Sequence, residues 1–147
     1  MIIIADTSGL LATISTDDPE HEACRKALAS ASRLIISPLV LAELDYLVAD
    51  NLGEDTAMAV ADHVTAKVRE GRYILAPIDA DLLAATKHLR AQYRALAIGL
   101  TDAANVVLAA RYLTSSILSL DRRHFSAVVP LSGPDAAFRL LPDDMDG

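Results

Sequence analysis

The fold is decided by the first residues of the chain, which read Ile2-Ile3-Ile4-Ala5-Asp6-Thr7-Ser8-Gly9-Leu10-Leu11. Residues 2–5 form a short apolar run without alternation, which predicts a strand that is buried on both faces. Such strands are typical of parallel sheets covered by helices on both sides. Asp6 ends the run, and ligands bind beyond the carboxyl ends of the strands in sheets of this kind. We therefore expect Asp6 to lie at the edge where a functional site forms.

The rest of the chain repeats this alternation of short apolar runs and longer helical patterns. Further strands are predicted at 34–36, 73–75 and 116–120, with weaker candidates at 128–131 and 138–141. Caps such as Ser37 and Asp79 open several of the helices, which are expected near 10–14, 38–52, 54–70, 79–94 and 102–112. A further helix is expected to start within residues 17–20, with Pro19 in its first turn, and to run to about residue 31. This order predicts an α/β fold with a central, mainly parallel sheet and helices on both faces.

Length and composition set the class of protein. The 147 residues suffice for one core, and we predict a single domain over 1–141 followed by a flexible acidic tail over 142–147. Cys24 is the one cysteine, so no disulfide forms within the chain, as is usual in a reducing cytosol. The first residues lack the basic start of a signal peptide, and acids interrupt the longest apolar stretch. These features predict a cytoplasmic protein without a membrane-spanning helix.

Glu43 is the most informative acid because of the helix around it. Its neighbours three and four residues away are apolar or aromatic, namely Leu39, Val40, Tyr46 and Leu47. This pattern predicts that Glu43 lies in the stripe that faces the core. A buried carboxylate without a partner is costly, so we expect Glu43 to pair either with an arginine or with a metal.

Two further acids are expected to join Asp6 at the same edge of the sheet. Asp102 opens a helix and Asp121 ends the next strand. A helix of about 11 residues runs ~16 Å, and a strand of about five residues returns ~16 Å. Both acids are therefore expected at one end of the molecule, although each taken alone also suits a helix cap or a strand end.

The acids Asp6, Glu43, Asp102 and Asp121 would repel each other in one pocket, which raises carboxyl pKa values. A hard divalent cation such as Mg²⁺ or Mn²⁺ removes this repulsion because it prefers oxygen ligands. Such a cation also binds a phosphate and activates a water for in-line attack. The four acids therefore predict hydrolysis of a phosphodiester bond.

The net charge of −7 counts against simple nucleic-acid binding, for which a basic surface is expected. Part of this charge belongs to the four acids, and a bound cation would offset some of it. Arg122, Arg123 and His124 directly follow Asp121, which predicts either a basic rim that holds phosphate or a solvated turn. Arg90 and Arg94 share a helix face. They either add to this rim or pair with nearby acids.

Four blocks of sequence resemble, in order, the motifs of PIN-domain nucleases. Residues 3–11 resemble the opening block, an apolar strand followed by D-[TS]-[SN]-x-L. The family's second, third and fourth motifs are matched in this chain by SPLVLAE (37–43), TDAAN (101–105) and LSLDRRHF (118–125). The match spans nearly the whole chain, whose length without further domains is most similar to the VapC-type toxins of VapBC toxin–antitoxin pairs.

The resemblance implies a three-layer α/β/α PIN-like fold and a Mg²⁺- or Mn²⁺-dependent endoribonuclease that cuts structured RNA, either transfer or ribosomal RNA. The implied catalytic and metal-binding set is Asp6, Glu43, Asp102 and Asp121. Thr7 and Ser8 are expected to orient Asp6 by hydrogen bonding, with further support from Thr101 and Asn105. Asp121 stands one residue further from Phe125 than in many relatives, so two roles stay open for it: contact through water, or a second metal.

The resemblance also implies a homodimer and a VapB-type antitoxin that neutralises the enzyme. Such antitoxins usually lay a C-terminal segment across the active-site groove, with a basic side chain among the acids. DNA contact then belongs to the antitoxin, so no direct DNA binding is expected without it. Arg122 and Arg123 are the expected RNA-binding residues of this chain.

Two other functions compete with this interpretation. A response-regulator receiver also places acids and Mg²⁺ at strand ends, but it requires paired acids after the first strand and a late lysine. Here Asp6 stands alone, and no lysine follows Lys87. A catalytically inactive PIN-like module that binds RNA or a partner is the second alternative. Such a module is expected to have lost an acid, whereas all four matched positions here are acidic.

Overall fold

A computed structural model describes residues 1–145 of the chain. Its five strands are β1 (Ile2–Ala5), β2 (Arg33–Ile36), β3 (Tyr73–Leu75), β4 (Ser116–Leu118) and β5 (Arg139–Leu141). They form one sheet in the order β3-β2-β1-β4-β5, and every pairing is parallel. The apolar run that opens the chain is therefore the central strand, and the predicted parallel α/β sheet is confirmed.

Seven helices are seen in residues 1–145: α1 (Thr7–Ile14), α2 (His21–Ala29), α3 (Pro38–Leu52), α4 (Glu54–Arg69), α5 (Ala80–Gln92), α6 (Leu100–Arg111) and α7 (Arg122–Phe125). The predicted caps open two of them, because Ser37 Oγ accepts from Leu39 N (3.1 Å) and Asp79 Oδ1 accepts from Leu82 N (2.8 Å). None of the helices in this part of the chain is long and apolar enough to cross a membrane.

Alternation along the strands divides the core into two layers. Ile4 and Ile117 point to one face of the sheet, where the buried side chains of α5 and α6 pack. Ile3 and Leu118 point to the opposite face, which α1, α2, α3 and α4 cover. The sheet is thus enclosed on both sides, which is the three-layer α/β/α arrangement expected from the sequence.

Two strand predictions fail at the end of the chain. β4 ends at Leu118 instead of residue 120, because the chain turns there and Asp121 then caps the short helix α7. The segment 128–131 contains no strand, and Val129 N donates to Tyr93 Oη at 3.3 Å. Of the tail predicted over 142–147, residues 142–145 form a turn in which Asp144 Oδ2 accepts from Leu140 N (2.8 Å); residues 146–147 lie outside the described residues.

Gly9 lets α1 approach the end of β4 very closely. A Cβ atom at this position would lie 2.6 Å from the carbonyl oxygen of Leu118 and 2.7 Å from its Cγ. Only glycine fits such a contact without a shift of the helix or the strand. The close approach brings the first turn of α1 against the residues that follow β4, and both segments contribute to the site described next.

Candidate active site

Asp6 stands directly after β1 and is only 4% exposed. It precedes α1 but its side chain makes no capping hydrogen bond, so capping does not explain this acid. Its Oδ2 accepts hydrogen bonds from Ser119 Oγ (2.7 Å) and Ser8 Oγ (3.0 Å). Burial raises the pKa of Asp6, and the two serine hydroxyls offset part of this rise. An ionised Asp6 therefore depends on donors or positive charge placed beside it.

The two serines also fix the loop that follows β4. Ser119 Oγ accepts from Asp121 N (2.9 Å), and Ser8 Oγ accepts from Leu120 N (2.9 Å). These bonds tie the loop to the start of α1 and orient Asp6 at the same time. Ser119 is 1% exposed and was assigned no role from the sequence. The signal that marks it is a polar residue inside the otherwise apolar run 117–120.

Asp102, Asp121 and His124 form a cluster beside Asp6. Asp102 lies in the first turn of α6, and Asp121 Oδ1 accepts from His124 N (3.3 Å) to cap α7. His124 Nδ1 lies 3.0 Å from Asp121 Oδ2 and 3.2 Å from Asp102 Oδ2. One ligand atom from each of the three residues lies within 4.8 Å of the others. The sequence placed His124 in a basic rim, whereas the structure places it between two acids.

The pKa of Asp102 reflects both its burial and the repulsion among the acids. Its pKa is raised to about 6, chiefly by burial and then by the charges of Asp6 and Asp121. His124 opposes this rise, and Glu43 adds to it from further away. The predicted carboxylates therefore act on one another at the carboxyl edge of the sheet, and positive charge among them would relieve the repulsion.

Glu43 does not face the core, so that prediction was wrong. The buried stripe of α3 consists of Val40, Leu44 and Val48, and Glu43 is exposed beside it, as Tyr46 is. The apolar neighbours misled the prediction because Tyr46 and the half-buried Leu39 lie on the margin of the buried face. Glu43 needs no buried partner, and its charge reaches the site from the solvent side.

The predicted supporting residues behave differently from one another. Ser8 bonds to Asp6, whereas Thr7 Oγ1 is buried and has no partner within residues 1–145. Asn105 is fully buried; its Nδ2 contacts Asp6 Oδ1 at 3.5 Å, and its Oδ1 lacks a partner in the same range of residues. Thr101 is half-buried in the first turn of α6. Two unsatisfied polar atoms thus lie on the residues nearest Asp6.

The arginines predicted to bind RNA are both exposed on α7. Arg122 is ion-paired with Asp143, so its guanidinium would have to exchange this partner to reach a phosphate. Arg123 forms no ion pair with the described residues. The basic rim next to the acids therefore offers one uncommitted guanidinium.

A large groove lies away from the acids. It has a volume of about 700 Å³ and runs between α1, α2, α3 and α4. Leu10, Leu28, Leu41 and Val60 are among its apolar lining residues, and no carboxylate within residues 1–145 lines it. Its chemistry suits an apolar chain segment and excludes the metal chemistry expected at the carboxyl edge.

Comparison with known proteins identifies the fold and the family. The PIN domain family model matches residues 3–129. Ribonuclease VapC26 of Mycobacterium tuberculosis is 43% identical over 141 residues, which make up 95% of this chain and 100% of that protein.

Two solved structures share the fold at lower identity. Mycobacterium tuberculosis VapC20, described as a sarcin–ricin loop cleaving toxin, aligns with a TM-score of 0.70 and 20% identity over 82% of this chain and 90% of that chain. VapBC2 from Rickettsia felis, solved with a DNA fragment of its promoter, aligns with a TM-score of 0.64 and 20% identity over 89% and 96%. The family model and the 43% identical relative together show that this chain belongs to the PIN-domain family, as a member of its VapC group.

Proposed function

We propose that this chain is a toxin-type, divalent-metal-dependent endoribonuclease that hydrolyses phosphodiester bonds in structured RNA. The observation that carries the proposal is the cluster at the carboxyl edge, where Asp102, Asp121 and His124 converge beside the buried Asp6. Membership of the PIN-domain family and the relative that carries the name Ribonuclease VapC26 support the same activity.

The donor set fits a hard divalent cation, Mg²⁺ or Mn²⁺. Asp6, Asp102 and Asp121 supply carboxylate oxygens, which these cations prefer, and His124 adds a nitrogen. Burial, and after it the charges of Asp6 and Asp121, raise the pKa of Asp102 to about 6, and a cation held among the acids would remove the repulsive part of this effect. When bound, the cation lowers the pKa of a coordinated water and neutralises charge on the phosphate.

The residues of the chain have separate tasks in this mechanism. Ser119 and Ser8 hold one carboxylate oxygen of Asp6, so that the acid keeps a single orientation in its buried site. Asn105 contacts the other oxygen from α6. Glu43 adds negative charge to the site from the solvent side.

The proposal is tested by RNA cleavage with purified, antitoxin-free protein. Total RNA, transfer RNA and a synthetic sarcin–ricin loop hairpin are incubated with Mg²⁺ or Mn²⁺, and the cut ends are sequenced. We expect cleavage at one or a few positions that EDTA and Asp6→Asn abolish. Circular dichroism checks that the variant is folded, and calorimetric titration measures cation binding separately from activity.

The outcome that contradicts the proposal is an intact set of RNAs after incubation with protein that demonstrably binds the cation. The inactive RNA- or partner-binding module would then be the better description. Cleavage that persists in EDTA or in Asp6→Asn would instead indicate a contaminating nuclease.

A neutralising antitoxin of the VapB type is the second part of the proposal. The apolar groove between α1, α2, α3 and α4 and the acidic cluster offer two complementary surfaces to one extended partner. An apolar segment would fill the groove and a basic side chain would enter among the acids. Co-expression with the antitoxin should therefore suppress cleavage, and Leu41→Asp in the groove should restore it.

A homodimer is the third part of the proposal, and it follows from the family. Several large apolar side chains are exposed in the single chain, among them Tyr46, Met58 and Leu113. Sedimentation of antitoxin-free protein measures the mass directly. A monomer at micromolar concentration would remove this part and leave the nuclease proposal untouched.

A further inference from the structure

A groove of opposite charge lies beside the first turn of α6. It has a volume of about 410 Å³ and is lined by Lys87, Arg90 and Arg94 together with the chain at residues 97–99. We call it the cationic groove. No acid of the described part of the chain lines it, in contrast to the cluster around Asp102 on α6.

Among residues 1–145, the three cations of the groove have no partners of opposite charge. Lys87 and Arg90 are three residues apart on α5, and Arg94 follows one turn later in a short 3₁₀ turn, Arg94–Leu96. All three are exposed, and none of them forms a salt bridge with any residue in 1–145. A concentration of unpaired positive charge in a chain of net charge −7 attracts an anion.

The groove is also partly preorganised. Arg90 Nε donates to the carbonyl oxygen of Ile98 at 2.9 Å, which holds this guanidinium against the turn before α6. Within that turn Ala97 has a φ of 52°, a left-handed conformation that is unusual for a residue other than glycine. A planar guanidinium in a fixed position recognises the oxygens of a phosphate with little loss of side-chain freedom.

The groove and the acidic cluster flank the same helical turn. Gly99 is the residue before α6, and Asp102 lies within the first turn of that helix. One turn of helix advances the chain by about 5.4 Å. An RNA strand whose cut phosphate lies at the acids would therefore pass close to the groove wall at residues 97–99, which stands within one helical turn of Asp102 along the chain.

We propose that the cationic groove binds a backbone phosphate of the RNA substrate outside the bond that is cut. This inference rests on the proposed ribonuclease function and adds a substrate-binding site to it. It also explains how a chain of net charge −7 can bind RNA. The acids occupy the cleavage site, and the cations that bind the RNA backbone lie in a separate groove next to it.

The test removes two groove charges and compares the result with a matched control. The groove variant carries Lys87→Gln and Arg94→Gln. The control carries Lys26→Gln and Arg33→Gln, which removes the same charge from exposed positions near the amino end of β2, opposite the site. Both are made in the non-cutting Asp6→Asn background, and binding of a short fluorescein-labelled RNA is measured by anisotropy.

We expect the groove variant to bind the RNA about tenfold more weakly at low salt, and the control to stay within about twofold of the parent. The slope of log Kd against log salt should fall by about 0.7 in the groove variant, since one phosphate contact with single-stranded RNA contributes about 0.7. In the cutting background, KM should rise while kcat changes little, because the groove contacts the RNA away from the reacting atoms.

The inference is overturned when both double variants weaken binding equally, since overall charge would then explain the effect. It is also overturned when the groove variant loses affinity for the antitoxin but not for RNA. Failure of the ribonuclease proposal looks different: wild-type protein cuts no RNA, yet the groove variant still loses RNA affinity selectively. Wild-type cleavage combined with unchanged Kd and KM in the groove variant overturns this inference alone.

Discussion

The acidic site has a buried half and an open half, and the two are held in place by different means. In the buried half, Asp6 is 4% exposed and two serine hydroxyls bond to one of its oxygens. In the open half, Glu43 is exposed on α3, and the side chains of Asp102 and Asp121 are 20% and 32% exposed. Two serines orient the buried acid, whereas Asp102 and Asp121 are held through His124, and Glu43 is exposed to solvent.

The largest effect is expected for Asp6→Asn in the buried half, which should lower activity and raise stability at the same time. Asp6→Asn should lower kcat/KM by on the order of 10³-fold or more, because the cation contributes several kcal/mol of charge stabilisation. The same variant should stabilise the metal-free protein by roughly 1 kcal/mol, since burial disfavours the ionised carboxylate. The buried Asn105 amide can turn its unsatisfied Oδ1 toward the new amide. Thermal unfolding in EDTA measures the gain.

Glu43→Gln is the matched variant from the open half. It should reduce cleavage but leave the unfolding free energy of the metal-free protein within about 0.5 kcal/mol, because the side chain is exposed. Equal stability changes in the two variants would show that the division into halves is wrong.

Gly9→Ala tests the close approach on which the buried half depends. Helix propensity alone predicts a gain of about 1 kcal/mol for this change. The clash with the Leu118 carbonyl at 2.6 Å predicts the opposite, a loss of about 1–3 kcal/mol together with weaker cation binding. Urea unfolding decides between the signs, and a stabilised variant would mean that α1 moves away from β4 at little cost.

The open half should make stability depend on pH in a defined direction. Asp102 holds its proton up to about pH 6 in the folded protein, against an ordinary pKa of 3.8, so the folded state binds more protons between these values. Its contribution to the stability of the metal-free protein therefore falls, by at most about 2 kcal/mol, as the pH rises from about 4 to about 6. Cation binding needs the ionised form, so the cation-induced rise in Tm should grow over the same window.

The control for this pH dependence is Asp102→Asn, measured in EDTA across the same range. Other carboxylates titrate there as well, so the difference in Tm between wild type and variant is the relevant quantity. That difference should favour the variant increasingly toward pH 6. A difference that does not vary with pH would contradict the raised pKa of Asp102, and with it the burial and repulsion from which that rise follows.

The parts of the fold and of the site that local sequence patterns determine could be predicted, and the parts that depend on side-chain packing could not. The ends of strands are set by apolar runs, so the positions of Asp6 and of the parallel sheet followed from local patterns. The orientation of Glu43 did not, because its apolar neighbours include residues such as Tyr46 that stay exposed at the margin of a helix face. Helical periodicity locates a stripe to within about one residue, which is too coarse for a side chain at its border.

The role of Ser119 was missed, and that of His124 was assigned to a basic rim, for a related reason. Ser119 matters through partners 111 and 113 residues away, the hydroxyl of Ser8 and the carboxylate of Asp6. His124 reaches Asp102 only because Asp121 caps a one-turn helix that the sequence pattern does not predict. Contacts of this kind depend on tertiary geometry, whereas motif spacing reports only which residues stand near one another along the chain.

Ser119→Ala should weaken the buried half without removing an acid. The change deletes the shortest hydrogen bond to Asp6, at 2.7 Å, and should lower cation affinity by about 10–100-fold with a stability loss of about 1–2 kcal/mol. Ser116→Ala is the control, since Ser116 is also buried but lies at the opposite end of β4. Similar losses of cation affinity in both variants would mean that Ser119 acts only through general packing.

The smallest expected effect concerns the choice of cation by the open half. His124 brings a nitrogen within 3.2 Å of two carboxylates, and nitrogen ligands favour Mn²⁺ over Mg²⁺. His124→Asn should therefore weaken Mn²⁺ binding by about tenfold and Mg²⁺ binding by less than about threefold, where tenfold corresponds to about 1.4 kcal/mol. Calorimetric titration of both cations measures this, with His88→Asn on the exposed face of α5 as the control. Equal losses for the two cations would show that His124 only orients Asp102 and Asp121. The open half would then be held in the same way as the buried half, where serines orient Asp6.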